Sequence, residues 1–334
     1  MFLITERHAI LLGKNFTVDG HERRLFRVVT HFHSDHVIDI EKSLRECSSI
    51  IGTPITLDSM NVLGYTVPKH KRLDLEYSTQ VELLGEKIVL EKADHIMGAS
   101  QVIVKSDDLT LAYTGDFKNP GKTTPIINSD VLVIDVTYGS PNHIRPYKNE
   151  AEMLFTDYIA DALIKGPVVI YAYYGKLQEV MKILRGNGVI APFIVDGKVE
   201  ELTKIAIKYG EKITDVFSKN SKEGKEIIKD SWYVEFKHAS SFKNRDKLHF
   251  NFLLDGWTIK EFIKRIDEKS YILGISSHAD FEDIIYYVEN STADIIVPDA
   301  SRSKYAFEFA EYMKKIDSKK KVMVMPSPTV FDKP

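Results

Sequence analysis

Three histidines and an aspartate fall within six residues, His31 to His36, in the stretch "THFHSDHV", although the whole chain of 334 residues holds only 11 histidines. A solvated loop has no need of such a cluster, and a core would not accept it without partners. In an extended segment residues i and i+2 point the same way. His31 and His33 can therefore grip one ion, Asp35 continues their parity, and His36 breaks it. That alternation suits two neighbouring ions, one held by His31 and His33 and the other by Asp35 and His36. Imidazole with carboxylate favours zinc or a similar borderline metal.

Two ions need further ligands. "ADHIMGAS" offers His95, with Gly98 allowing a close backbone approach, and "AYTGDF" offers Asp116 at a strand end, where a carboxylate could bridge both ions.

The elements around these residues divide the chain. Up to about Gly139 it reads as short β-type runs: "HAILLG", "FRVVT", "SSIIGTPIT", "KIVLE", "SQVIVK", "LTLAYTG" and "DVLVIDV", with "VIDIEKSLREC" as a helix after the histidines. Beyond it, "NEAEMLFTDYIADALIKG", "PVVIYAYY", "KLQEVMKILRGNG", "APFIVD" and "VEELTKIAIKYG" alternate helix and strand, as in a parallel α/β layer. The charged segment 216–250 resists assignment, and "SYILGISSHADFEDIIYYVENSTADIIVPDA" returns to strand, helix and strand. This pattern predicts an inserted domain over 146–255, with 1–145 and 256–334 forming the other.

Composition is that of a folded chain, 43% hydrophobic and 28% charged, with a net charge of −3. The balance argues against a broadly basic surface for non-specific nucleic-acid binding. No apolar run reaches the ~18 residues of a membrane helix, and the start lacks a secretory pattern. The single cysteine, Cys47, excludes an internal disulfide; it reads as a small buried residue and suits a cytoplasmic setting.

The motifs H-x-H-x-D-H, "DHIMGASQV" and "YTGDF", in that order, resemble the metallo-β-lactamase superfamily. "DVTYGSP" with Asp135, "YGKLQEV" with Gly175, Gln178 and Glu179, and "SSHADF" with His278 resemble its β-CASP nuclease branch, most closely the short ligase-associated DNA exonucleases and mRNA 3′-end processing factors. The resemblance runs from about residue 8 to 310. It implies an α/β, four-layer αββα fold with an inserted β-CASP cap. It also implies two zinc ions, manganese being an alternative: one on His31, His33 and His95, the other on Asp35 and His36, with Asp116 bridging. The implied catalytic residues are Asp35, Asp135 and His278, the last two as an acid–base dyad. At the C-terminal position where such nucleases often carry a ligand histidine, this chain has "IIVPDASRSK"; Asp299 is expected either to reach the second ion or to cap the following helix. Lys176, Ser301, Arg302 and Lys304 are candidate phosphate contacts, and 237–249, with Phe242, a candidate nucleic-acid path. The implied activity is hydrolysis of single-stranded DNA or RNA, exonucleolytic in mode. The competing readings are a small-molecule hydrolase of the superfamily and a non-catalytic β-CASP scaffold.

Overall fold

The structure is a computed structural model that describes residues 1–106, 109–316 and 319–327. It divides into two compact units, Met1–Ile144 with His278–Pro334, and Arg145–Ser277.

Among the described residues, the first unit holds two sheets. In one, Phe2–Ile4, Ile10–Leu12, Phe16–Val18, Phe26–Val28, Ser49–Gly52 and Arg72–Asp74 lie side by side in chain order. The first three strands pair antiparallel and the rest parallel. In the other, Lys321–Val322, Ile295–Pro298, Val131–Ile134 and Leu109–Tyr113 run parallel, and Ser100–Ser106, Glu86–Lys92 and Gln80–Leu83 add antiparallel strands. Alternate residues meet between the sheets. Ile10, Leu12, Phe16, Val18 and Val28 from the first share one buried cluster with Ile88, Leu90, Val102, Val104, Leu111 and Val133 from the second. Burial at period two is what fixes the strand register.

Helices cover the outer faces. Ile40–Glu46 and Pro54–Leu63 pack on the first sheet, and Ala306–Lys315 on the second. Phe281–Asn290 joins the second sheet through Tyr287, whose hydroxyl donates to Gln101 Oε1 at 2.6 Å. The layering is the αββα arrangement implied by the motifs. One expected strand was too long. "SSIIGTPIT" leaves the sheet at Gly52, because Thr53 caps a helix that has Pro54 in its first turn.

In the second unit the described strands order as Val216–Ser218, Phe193–Val195, Val234–His238, Val168–Ala172, Phe250–Leu254, Ser270–Leu273 and Ile263–Arg265, parallel except the last. The central strand VVIYA is buried throughout, as expected between two helical layers. Ser270–Leu273 pairs with Phe250–Leu254, so this sheet, and the unit, runs on to Ser277 rather than stopping at 255. The unassigned segment contains Val216–Ser218, the helix Lys222–Asp230 and Val234–His238.

The "YGKLQEV" motif has a local explanation. Gly175 sits at φ 85°, ahead of the helix Lys176–Gly186, and its N–H donates to Gln178 Oε1 at 3.0 Å. Gln178 also donates to Thr203 Oγ1 at 3.0 Å, and Glu179 accepts from Ser277 Oγ at 2.7 Å. No helix of the described residues is long and apolar enough to cross a membrane.

Candidate metal centre and acid–base pair

The histidine loop leaves the buried strand Phe26–Val28 and ends at Asp39, which turns the chain at φ 54° into the next helix. His31 and His36 are buried and His33 half-buried. His95 follows the strand Glu86–Lys92, and Asp116 follows Leu109–Tyr113 through Gly115 at φ 55°. A Cβ on Gly115 would lie 2.7 Å from the Ser100 carbonyl, so the turn that delivers Asp116 requires glycine. His278 sits just before the helix Phe281–Asn290, whose N-cap is Asp280.

These residues converge on one atom. The Nε2 atoms of His36, His31, His95 and His278 lie 3.4, 3.5, 3.6 and 3.8 Å from Asp116 Oδ2. His33 Nδ1 is 3.1 Å from His31 Nε2 and 3.2 Å from His95 Nε2. Asp35 Oδ2 is 3.3 Å from His36 Nε2. Ligand atoms ~2.0–2.2 Å from a shared zinc stand roughly 3.3–3.6 Å apart when tetrahedral. His31, His33, His95 and Asp116 thus offer one four-atom set, and Asp116, Asp135 and His278 a second grouping of the same tightness.

The chemistry of the set fits a cation. His36 Nδ1 is 2.7 Å from Asp19 Oδ2, while its Nε2 is buried and forms no hydrogen bond, although two carboxylates stand beside it. An orphaned buried nitrogen aimed at carboxylate oxygens is what a metal ligand looks like. Burial, then His36, His95 and His33, hold His31 well below its ordinary pKa, as the neutral imidazole a metal needs. For Asp116 burial pushes upward, but His36 and His278 outweigh it and keep the carboxyl ionised. Asp35 is likewise lowered, by His36 against burial. His36 itself is raised; burial opposes this, and Asp116, Asp35 and Asp19 prevail.

The dyad is formed. His278 Nδ1 lies 3.0 Å from Asp135 Oδ2, and Asp135 Oδ1 accepts from Thr137 N–H at 2.8 Å and its hydroxyl at 2.7 Å. Burial lowers the imidazole pKa, but Asp116 and Asp135 raise it overall.

Asp299 is not brought to the cluster. Its Oδ1 accepts from Ser301 N–H at 2.8 Å and the Ser301 hydroxyl at 2.5 Å, and Oδ2 pairs with Arg302 at 3.0 Å. Both oxygens are engaged in the turn, as expected of the capping alternative for Asp299. Ser301 and Arg302 spend these bonds on Asp299. Lys176 pairs with Glu179 at 3.0 Å, and Lys304 reaches over the Tyr305 ring at 5.1 Å. In the 237–249 run, Phe242 packs on Tyr171, and Arg245 binds Asp267 at 2.5 Å.

Sequence reasoning missed two supports. Asp19, fully buried at φ 53°, accepts from Thr30 N–H at 2.8 Å and Thr30 Oγ1 at 2.6 Å besides holding His36. Its signal was hidden in "VDG", which reads as a turn. Arg27, also buried, donates to the carbonyls of His36 at 2.9 Å and Ile38 at 3.4 Å; burial lowers its pKa to about 10.

No family model matches the chain. Over 139 residues, 41% of its length, it is 58% identical to 99% of a protein from Acidianus ambivalens named "Uncharacterized protein in lig 3'region". It is 27% identical over 212 residues to RNase aCSPSF2 of Saccharolobus solfataricus, covering 55% of this chain and 43% of that protein. It is 25% identical over 306 residues to transcription termination factor FttA of Methanocaldococcus jannaschii, covering 76% and 47%. The chain thus spans less than half the length of these two functionally named relatives. A crystal structure of a protein of unknown function from Enterococcus faecalis superposes with a TM-score of 0.58 at 12% identity, over 82% of this chain and 74% of that one, a likeness of fold. With its motifs in order and its relatives among the RNase aCSPSF2, RNase J-like and FttA proteins, the chain is similar to the β-CASP nucleases of the metallo-β-lactamase superfamily.

Proposed function

We propose that this protein is a two-metal-dependent nuclease that hydrolyses phosphodiester bonds of single-stranded DNA or RNA from a strand end. The observation that carries the reading is the convergence of four imidazole nitrogens on Asp116 Oδ2, with the His278–Asp135 pair beside it. That its relatives bear names such as RNase and endoribonuclease supports nucleic acid as substrate. In this reading His31, His33 and His95 hold one zinc, Asp35 and His36 the other, with Asp116 shared; manganese is the alternative metal. When bound, two such ions acidify water and offset charge developing on the phosphoryl oxygens.

The chain's own groups do the rest. Asp19 fixes the tautomer of His36 by taking its Nδ1 proton in a hydrogen bond, which leaves Nε2 as the ligand atom. Asp135 does the same for His278 Nδ1 and favours the imidazolium, whose Nε2 proton is then available to the leaving oxygen. Asp135 is in turn held by the two donors of Thr137, so the dyad is set before substrate arrives. The lone buried Cys47 suits a reducing cytoplasm, where we place the enzyme.

The test is digestion of 5′- and 3′-labelled DNA and RNA oligonucleotides by protein carrying two equivalents of zinc or manganese, with and without chelator. Stepwise shortening from one end, abolished by chelator, is expected. A loaded protein that cleaves neither nucleic acid overturns the reading. Hydrolysis of a lactam or thioester instead would make it a small-molecule hydrolase, and no hydrolysis at all a scaffold.

A further inference from the structure

Arg302 lies in the turn after the strand Ile295–Pro298, with its side chain only 8% exposed. One end of its guanidinium is anchored, Nη1 donating to Asp299 Oδ2 at 3.0 Å. From the other end, Nη2 donates to three backbone carbonyls, those of His8 at 2.9 Å, Asp19 at 3.0 Å and Asp35 at 3.2 Å. Those carbonyls belong to separate stretches of chain that meet only in the folded unit. Only a planar fork with five N–H donors can serve so many acceptors from one buried point.

Two of the three carbonyls belong to residues of the second half of the cluster or its support, and the third, that of His8, does not. Asp35 is a carboxylate of the second half of the cluster, and Asp19 orients His36, the other ligand of that half, through its Nδ1 at 2.7 Å. None of the described bonds of Arg302 goes to His31, His33 or His95. Asp299 and Arg302 stand where the resemblance places a ligand histidine. This chain has there a buried Asp299–Arg302 pair bonded to backbone carbonyls of the unit.

We infer that Arg302, anchored by Asp299, is a positioning residue for the Asp35/His36 half of the cluster, fixing the backbone from which that half is presented and so controlling how tightly the second ion binds. The inference rests on the two-ion reading of the cluster. It differs from a general stabilising role because it is one-sided: the His31/His33/His95 half should not feel its loss.

The test uses the full chain stripped of metal and titrated with zinc by calorimetry and with cobalt by visible absorption. The proteins are wild type, Arg302→Met, Arg302→Lys and the double variant Arg302→Met/Asp299→Asn. The double variant removes both members of the buried pair, so no lone buried charge threatens the fold. Wild type should take up two ions in distinguishable steps. In Arg302→Met and the double variant the weaker step should lose about 10- to 100-fold in affinity, the usual effect of removing a support behind a ligand, with the tighter step unchanged. Arg302→Lys keeps the charge but not the fork and should remain weak. Equal weakening of both steps, no weakening in the double variant, or full rescue by lysine overturns the inference. A wild type that binds fewer than two ions refutes the two-ion reading itself, and the inference with it.

Discussion

Asp135→Asn isolates what a carboxylate contributes behind His278. Oδ1 of Asp135 already accepts both donors of Thr137, at 2.8 and 2.7 Å. An asparagine would keep its oxygen on that side and turn its NH₂ toward His278 Nδ1, which stood 3.0 Å from Oδ2. Two donors would then face each other, so the ring must give up its Nδ1 proton. The neutral imidazole survives this change and the imidazolium does not. A charge-assisted hydrogen bond contributes about 1.5–3 kcal/mol. The His278 side chain is 23% exposed, so screening favours the lower half of that range. At about 1.4 kcal/mol per decade, turnover near neutral pH should fall roughly 10- to 40-fold. The pH dependence has a definite sign. Burial lowers the His278 pKa while Asp116 and Asp135 raise it, and removing the Asp135 charge lets it fall. An acid that must be protonated is then lost at lower pH, and the upper limb of the pH–rate profile moves toward acid. The assay is kcat/KM against pH on an end-labelled oligonucleotide, with metal content measured on the same samples. An unmoved upper limb with turnover intact would refute proton transfer through this pair. Loss of one ion would make His278 a ligand instead.

His33→Ala/His95→Ala should lose the ion those residues share, read by elemental analysis, and full metal content with full activity would sink the site. Asp19→Asn sets an NH₂ against His36 Nδ1, so the second ion should bind about 10- to 100-fold more weakly, checked by the same titration; unchanged affinity would contradict the tautomer argument. Gly98→Ala should cost about 1–3 kcal/mol in denaturant unfolding, because Gly98 has φ 81° and a Cβ there would run into Ile55 and Thr56. An unshifted midpoint would show that this turn tolerates a side chain.

The cluster was legible where its logic is local. The parity of His31 and His33 follows from extended geometry alone, and the two rings do meet. Asp116 was legible because Gly115 marks a turn at a strand end. Asp19, Arg27 and Arg302 were not legible, because what they do depends on carbonyls and rings brought close only by the sheets. Arg302 reaches Asp35 across most of the chain, and from its own neighbours it reads as a surface charge. The helix Lys222–Asp230 was unreadable for a different reason: its only apolar side chains are the adjacent Ile227 and Ile228, too few to show a helical repeat. At "SSIIGTPIT" the β-branched residues outvoted the signal that should have won, Thr-Pro at a helix start. The second unit overran its expected boundary because parallel pairing across 250–273 leaves no mark in composition.

The strand order of the second sheet has a consequence during synthesis. Val131–Ile134 is buried along its whole length, with Leu109–Tyr113 on one side and Ile295–Pro298 on the other. The ribosome makes the first neighbour before this strand and the second only after all of residues 135–294. At translation rates that delay is on the order of ten seconds or more. For that time "VLVI" is an apolar strand with an open edge, the kind that recruits other chains. His278 emerges during the same interval, so the cluster cannot be complete on a nascent chain that still lacks it. The hazard of this architecture lies in its order of manufacture: the edge stays open until Ile295–Pro298 arrives to cover it.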